Sequence, residues 1–122
     1  MDMKNLIHLI NTSGYKIVLA ITGGGTEAIG ELLRYGGGST TLLEAIVPYS
    51  QQAVDTFIGR KPEKYCSART SRAMAMASFQ RARMLQQERK EAESLLGIGA
   101  TSTLVKFNER KERQHELHIA IS

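Results

Sequence analysis

The chain has 122 residues, 42% of them hydrophobic, and its 16 Lys and Arg against 12 Asp and Glu leave a net charge of +4. That length predicts one domain over residues 1–122 with one core, and excludes an enzyme with separate cofactor and substrate domains. No apolar run approaches the roughly 20 residues that span a membrane, the start of the chain with Asp2 and Lys4 has no export-signal pattern, and the single cysteine, Cys66, fits a reducing compartment, so the expected location is the cytoplasm.

In chain order, residues 4–11 predict a short amphipathic helix with Leu6, Ile7, Leu9 and Ile10 on or near one face, stopped by Thr12, Ser13 and Gly14. Residues 15–21 (YKIVLAI) read as a strand buried on both faces. Such strands occur mostly in sheets covered by helices, which makes the fold class α/β. A glycine turn, Thr22 to Thr26, leads into a helix from about Glu27 to Arg34 with Ala28, Ile29, Leu32 and Leu33 inward. A second glycine stretch, Gly36 to Thr40, leads to a strand over 42–49, where Pro48 marks an edge or exit because it lacks a ladder donor. Ser50 can cap a helix over 51–58 that Gly59 closes. The longest helix begins at Ser67 or Thr70 and runs to about Glu91, with Ala73, Met74, Ala77 and Met84 as a soft apolar stripe and a polar end over 86–93. Residues 94–100 read as a buried strand. Residues 103–107 and 116–121 are the last strand candidates, joined as an antiparallel hairpin by the charged loop NERKERQ.

Strand, glycine turn and helix together can bind anions, because backbone N–H groups approach the ligand and the helix dipole adds to them. Gly23, Gly25 and Ala28 even match the short dinucleotide fingerprint, with Glu44 about 20 residues on. The chain is short for that fold, however, Glu44 starts its strand rather than ending it, and no Walker lysine follows Gly25. Glu27 and Glu31 suit the helix dipole themselves and would repel a phosphate placed there. Thr22, Gly23, Gly24 and Gly25 are therefore either a ligand-binding loop or a tight turn with close helix–sheet packing. In the second loop Ser39 lies between Gly38 and Thr40, with Tyr49 at the far end of the strand that follows. An exposed serine becomes a nucleophile when a base takes its proton. A phenol with a pKa of about 10 is a poor base alone, so a lysine or histidine companion is expected. The alternative is ordinary turn chemistry.

Arg60, Lys61, Lys64, Arg69 and Arg72 cluster around Glu63 and either attract phosphates or form a solvated loop and helix start. Four Tyr, three Phe and no Trp, without a zinc motif, predict no nucleic-acid partner. His115 and His118 would point to opposite faces of a strand, which predicts no metal site, and no cofactor is expected. His8 reads as packing. Cys66, with Lys64 and Arg69 nearby, reads as a structural or incidental thiol despite a pKa they could lower.

Taken together, VLAITGGGTEAIGELL, GGGSTTLLEAIVPYSQQAVDTFIG and CSARTSRAMAMASFQRA resemble the CinA C-terminal family, the nicotinamide-nucleotide amidases, and in particular a CinA-like branch associated with cytidylyltransferase-related domains. The resemblance runs from Tyr15 to Ile121, more specific in 37–50 and loose after Ala92. It implies a three-layer α/β/α sandwich with a mixed sheet, which hydrolyses the carboxamide of nicotinamide mononucleotide without a metal. It places the family's nucleophilic serine on Ser39 and its tyrosine on Tyr49. The family's lysine, the proton acceptor, falls on Val54, and the serine of its phosphate-side loop falls on Thr22. Losing a positioned base forfeits about 10²- to 10⁴-fold in rate.

Two functions follow. One is an amidohydrolase of a nicotinamide nucleotide or similar small amide, with activity altered or lost through Val54. The other is a non-catalytic nucleotide- or partner-binding module on the same fold. A homo-oligomer is expected in either case, from apolar edge strands and a Met/Ala-rich helix.

Overall fold

The β-branched run in the first third of the chain becomes the centre of the molecule. Strand β1 (Tyr15–Thr22) is buried from Ile17 through Ile21 on both faces, as its lack of polar alternation requires. The computed structural model describes residues 2–87, 94–103 and 116–122. Strands β2 (Leu42–Ile46) and β3 (Ser94–Thr103) flank β1 and run parallel to it, and β4 (Glu116–Ile121) lies antiparallel outside β3. The order is β2-β1-β3-β4, a mixed sheet of the expected class.

Pleating divides the sheet into two unlike faces. On one face Ile17, Leu19, Ile21 and Ala100 form a cluster, joined by Leu42, Leu96 and Ile98. Ile10 of helix α1 (Met3–Asn11) and Ile29 and Leu32 of helix α2 (Glu27–Arg34) pack over it. The cover is thin. None of α2 is buried, and Ala28 and Leu33, expected inward, are exposed, because an eight-residue helix turns only one narrow stripe toward the sheet.

The opposite face is closely packed. There Val18 and Ala20 sit beside Gly97 and Gly99 in register, beneath helix α4 (Ala68–Leu85). A Cβ added at Gly97 would run into the backbone of Ala75 and Phe79, and one at Gly99 into that of Ser71 and Ala75. The helix therefore rests on the β3 backbone, and its buried face is Thr70, Ser71, Met74, Ala75, Ser78 and Ala82. This corrects the expected stripe: Met74 is buried, Ala73 and Ala77 are half-buried, and Met84 is exposed. Glycine on the strand demands small residues on the helix, and those are as often Ser as Ala.

Helix α4 ends at Leu85 rather than near Glu91, where the Gln86 N–H reaches back to the Ala82 and Arg83 carbonyls. Ser67 caps its start by accepting from the Thr70 N–H. Helix α3 (Gln51–Ile58) begins and ends as expected, with Ser50 accepting from the Ala53 N–H and Gly59 at φ +80. Strand β2 stops at Ile46, three residues short of Tyr49; Pro48 leads the chain off the sheet. Strand β3 runs on to Thr103, past the expected end at Ala100; of the polar helix end expected over 86–93 and the strand expected over 103–107, residues 88–93 and 104–107 lie outside the described residues, as do the NERKERQ loop and His115. Helices thus cover both faces, as a three-layer α/β/α arrangement requires.

Candidate functional site

Three parallel strands place their C-terminal ends together, and β1 leads to β2 on one side while β3 pairs on its other side. In such sheets the crevice beyond the carboxyl ends, where strand order reverses, is the usual place for a ligand. A cavity of about 190 Å3 occupies that position, lined by Thr22 and Gly23 from β1 and its turn, Thr101 to Thr103 from the end of β3, Tyr49, Gln51 and Val54 around the start of α3, and Tyr65 and Cys66 before α4.

Its walls are held by specific contacts. Gly23, at φ +96, lies so close to Ser102 that a Cβ would meet the Ser102 carbonyl, and the Gly24 N–H donates to Ser102 Oγ. Gly25 faces Ile21, with a Cβ placed 3.2 Å from its Cγ2. The first glycine loop is therefore the tight, closely packed turn that the sequence allowed, and Thr22 and Gly23 within it line the crevice. The Tyr65 hydroxyl donates to Asp55 Oδ1 at 2.7 Å, and this bond, then partial burial, raises the phenol above its ordinary pKa. Asp55 thus holds the Tyr65 ring in place as one wall of the crevice. Tyr49 stands at the rim, 78% exposed, and Val54 is buried. Thr101 is 1% exposed, and its Oγ1 has no hydrogen-bond partner among the described residues. An orphaned buried hydroxyl costs about 1–3 kcal/mol.

Ser39 is elsewhere. The second loop forms a short 3-10 turn (Gly38–Thr40) just before β2, at the N-terminal end of the parallel strands. Gly37, at φ +99, packs near Asn11, and the Thr40 Oγ1 lies 2.6 Å from the Gly37 carbonyl and 3.1 Å from that of Asn11. Lys16 Nζ donates to the Thr40 carbonyl at 2.6 Å. Strand β2, whose five residues cover roughly 15 Å, separates Ser39 from Tyr49. The structure does not bring these two together. Of the expected ligand-binding residues, Thr22 and Gly23 line the crevice and Gly24 and Gly25 support it, while Gly38 and Thr40 seal the opposite end of the sheet.

No Lys, Arg or His is among the residues described as lining the crevice. Lys61, with Arg60 and Arg69, borders a separate hollow of about 220 Å3, and Lys64 pairs with Glu116 at 3.5 Å. Glu44, the acidic residue beyond the first glycine loop, is held by Arg81 of α4, with Nε–Oε1 at 2.7 Å and Nη2–Oε2 at 3.2 Å. This fork ties α4 to the edge strand.

A second constellation escaped the sequence. Glu116 and His118 share the α4 side of β4, and the start of α4 brings Cys66 to them, so that one ligand atom of each lies within 4.8 Å of the others. His118 Nε2 is 3.4 Å from Glu116 Oε2, and this contact, with the Lys64 charge, holds the Glu116 carboxyl below its ordinary pKa. Glu116 and His118, two apart on a strand, were a readable signal. Cys66, fifty positions away, was not.

No family model and no curated protein matches the chain. Solved structures do. The competence/damage inducible protein CihA from Agrobacterium tumefaciens superposes with TM-score 0.70 at 18% identity, covering 99% of this chain and 73% of that one. Competence-damaged protein (CinA) superfamily proteins from Escherichia coli (TM-score 0.69, 12% identity, 98% and 73% covered) and Enterobacter cloacae (0.66, 15%, 97% and 75%) follow. At these identities the likeness is one of fold, and the chain folds as a CinA-like domain.

Proposed function

From that CinA-like fold we propose that the chain is a small-molecule binding domain whose crevice takes the polar end of a nucleotide, without the serine–lysine amidohydrolysis of the family it resembles. The observation that carries this is the crevice at the C-terminal ends of β1 and β3, supplied with hydroxyls from Thr22, Tyr49, Thr101 and Ser102 but with Val54 where the resemblance expects an amine. Its volume suits a base or a ribose phosphate rather than a whole dinucleotide, since pockets for drug-sized ligands begin near 300 Å3. Tyr49 at the rim stacks on the base.

Nicotinamide mononucleotide at about ten times its Kd then adds about 1.4 kcal/mol to native stability, a Tm rise of roughly 4–8 °C. Tyr49→Ala abolishes the rise and Ser39→Ala keeps it. No rise with nicotinamide mononucleotide, other pyridine nucleotides or ribose 5-phosphate at millimolar concentration sinks the proposal. The competing enzyme reading is favoured by one juxtaposition, the Thr22 hydroxyl in the same crevice as Tyr49. Ammonia release from nicotinamide mononucleotide that disappears in Thr22→Val, or in Ser39→Ala, would establish it.

Self-association is a further part of the proposal. Leu117, Ile119 and Ile121 alternate along β4 and are 60%, 61% and 65% exposed, an apolar strip on the outer strand of the described sheet. Sedimentation showing only monomer at tens of micromolar would refute it. No described helix is long and apolar enough to cross a membrane, and Cys66 as a free thiol suits the proposed cytoplasmic setting.

A further inference from the structure

We propose that Cys66, Glu116 and His118 form a three-ligand site for a zinc-like divalent transition-metal cation at the rim of the crevice. They are the one group of three His, Cys, Asp or Glu among the described residues whose ligand atoms gather closely enough to hold an ion, all within 4.8 Å of one another. Ligands at about 2.0–2.3 Å from a tetrahedral zinc lie roughly 3.3–3.6 Å apart. The 3.4 Å between His118 Nε2 and Glu116 Oε2 already has that spacing, and Cys66 needs only a small approach. Thiolate, imidazole and carboxylate together select a borderline-soft cation over magnesium or calcium, which prefer oxygen alone. Three protein ligands leave the fourth position open. Cys66 also lines the crevice, so a molecule bound there lies beside that position.

One positive charge competes for the site. Glu116 is paired with the Lys64 ammonium at 3.5 Å, a partner whose side chain is 66% exposed and free to swing into solvent. A divalent ion takes the place of that single charge. On binding, the Cys66 thiol gives its proton to solvent as the sulfur–metal bond forms, His118 donates a ring nitrogen lone pair, and Glu116 a carboxylate oxygen; no oxidant or reductant is involved.

The test titrates the metal-free full chain with zinc in competition with a chromophoric chelator, and with cobalt(II) as a spectroscopic stand-in. No nucleotide is present, so failure here leaves the crevice proposal standing. One zinc per chain is expected, with a thiolate-to-cobalt charge-transfer band in the near ultraviolet. Cys66→Ser abolishes the band and weakens zinc by more than the roughly 10- to 100-fold that an outer-shell partner is worth. His118→Gln and Glu116→Gln, both at partly exposed positions, weaken it while circular dichroism confirms the fold. Lys64→Met tightens it, because the competing ammonium is gone. Absence of the band, wild-type zinc affinity in both Cys66→Ser and His118→Gln, or no gain in Lys64→Met overturns the site.

Discussion

The two glycine-rich loops have nearly the same composition and opposite employment. Thr22 to Thr26 follows β1 and therefore lies at the carboxyl end of the parallel strands, wedged against Ser102 of β3. Gly36 to Thr40 precedes β2 and lies at the other end, bonded to α1 and the start of β1. A glycine stretch in an α/β chain is thus read by what it follows: a loop that ends a parallel strand borders the crevice, and one that begins a strand closes the bottom of the sheet. That distinction decides which hydroxyls can meet a ligand.

Substitutions sharpen the contrast. Gly23→Ala combines a left-handed backbone with a Cβ driven into the Ser102 carbonyl, and costs about 3 kcal/mol in urea unfolding. Gly36→Ala, with open space and an ordinary φ, changes stability by less than about 0.5 kcal/mol. Equal costs would erase the distinction. Next in size, Tyr49→Ala forfeits the roughly 1.4 kcal/mol of nucleotide stabilisation, while Ser39→Ala forfeits none. Thr40→Val removes the hydroxyl between Gly37 and Asn11 and costs about 1 kcal/mol of unfolding free energy without touching ligand affinity. The smallest effect is alkaline. The folded state raises the Tyr65 pKa through its bond to Asp55, so that bond's contribution is complete below pH about 10 and fades as pH rises through the higher folded value. Denaturation midpoints of Tyr65→Phe and the native chain should converge over that range.

Much of the fold was legible. The apolar run of β1, the Ser50 and Gly59 boundaries of α3 and the two flanking strands could be read because each is set by local chemistry: burial on both faces, a capping hydroxyl, a left-handed glycine. The face of α4 could not, since its small residues answer to Gly97 and Gly99, which meet it only across the sheet. The site divides along the same line. Thr22, Gly23, Tyr49 and Val54, singled out separately in the sequence, line one crevice. Ser39 was grouped with Tyr49 by proximity along the chain, and the strand between them carries it to the far end. Thr101, Ser102, Tyr65 and the grouping of Cys66 with Glu116 and His118 depend on β3 lying beside β1 and β4 beside β3, which no local pattern announces.

The proposed ligand chemistry belongs to the crevice end and not to the second loop. Backbone amide NMR during titration with nicotinamide mononucleotide tests it most directly. Saturable shifts are expected at Gly23, Gly24, Ser102 and Gln51, with Gly37, Gly38 and Ser39 unmoved. Shifts centred on Gly37 to Thr40, with the crevice silent, would contradict it.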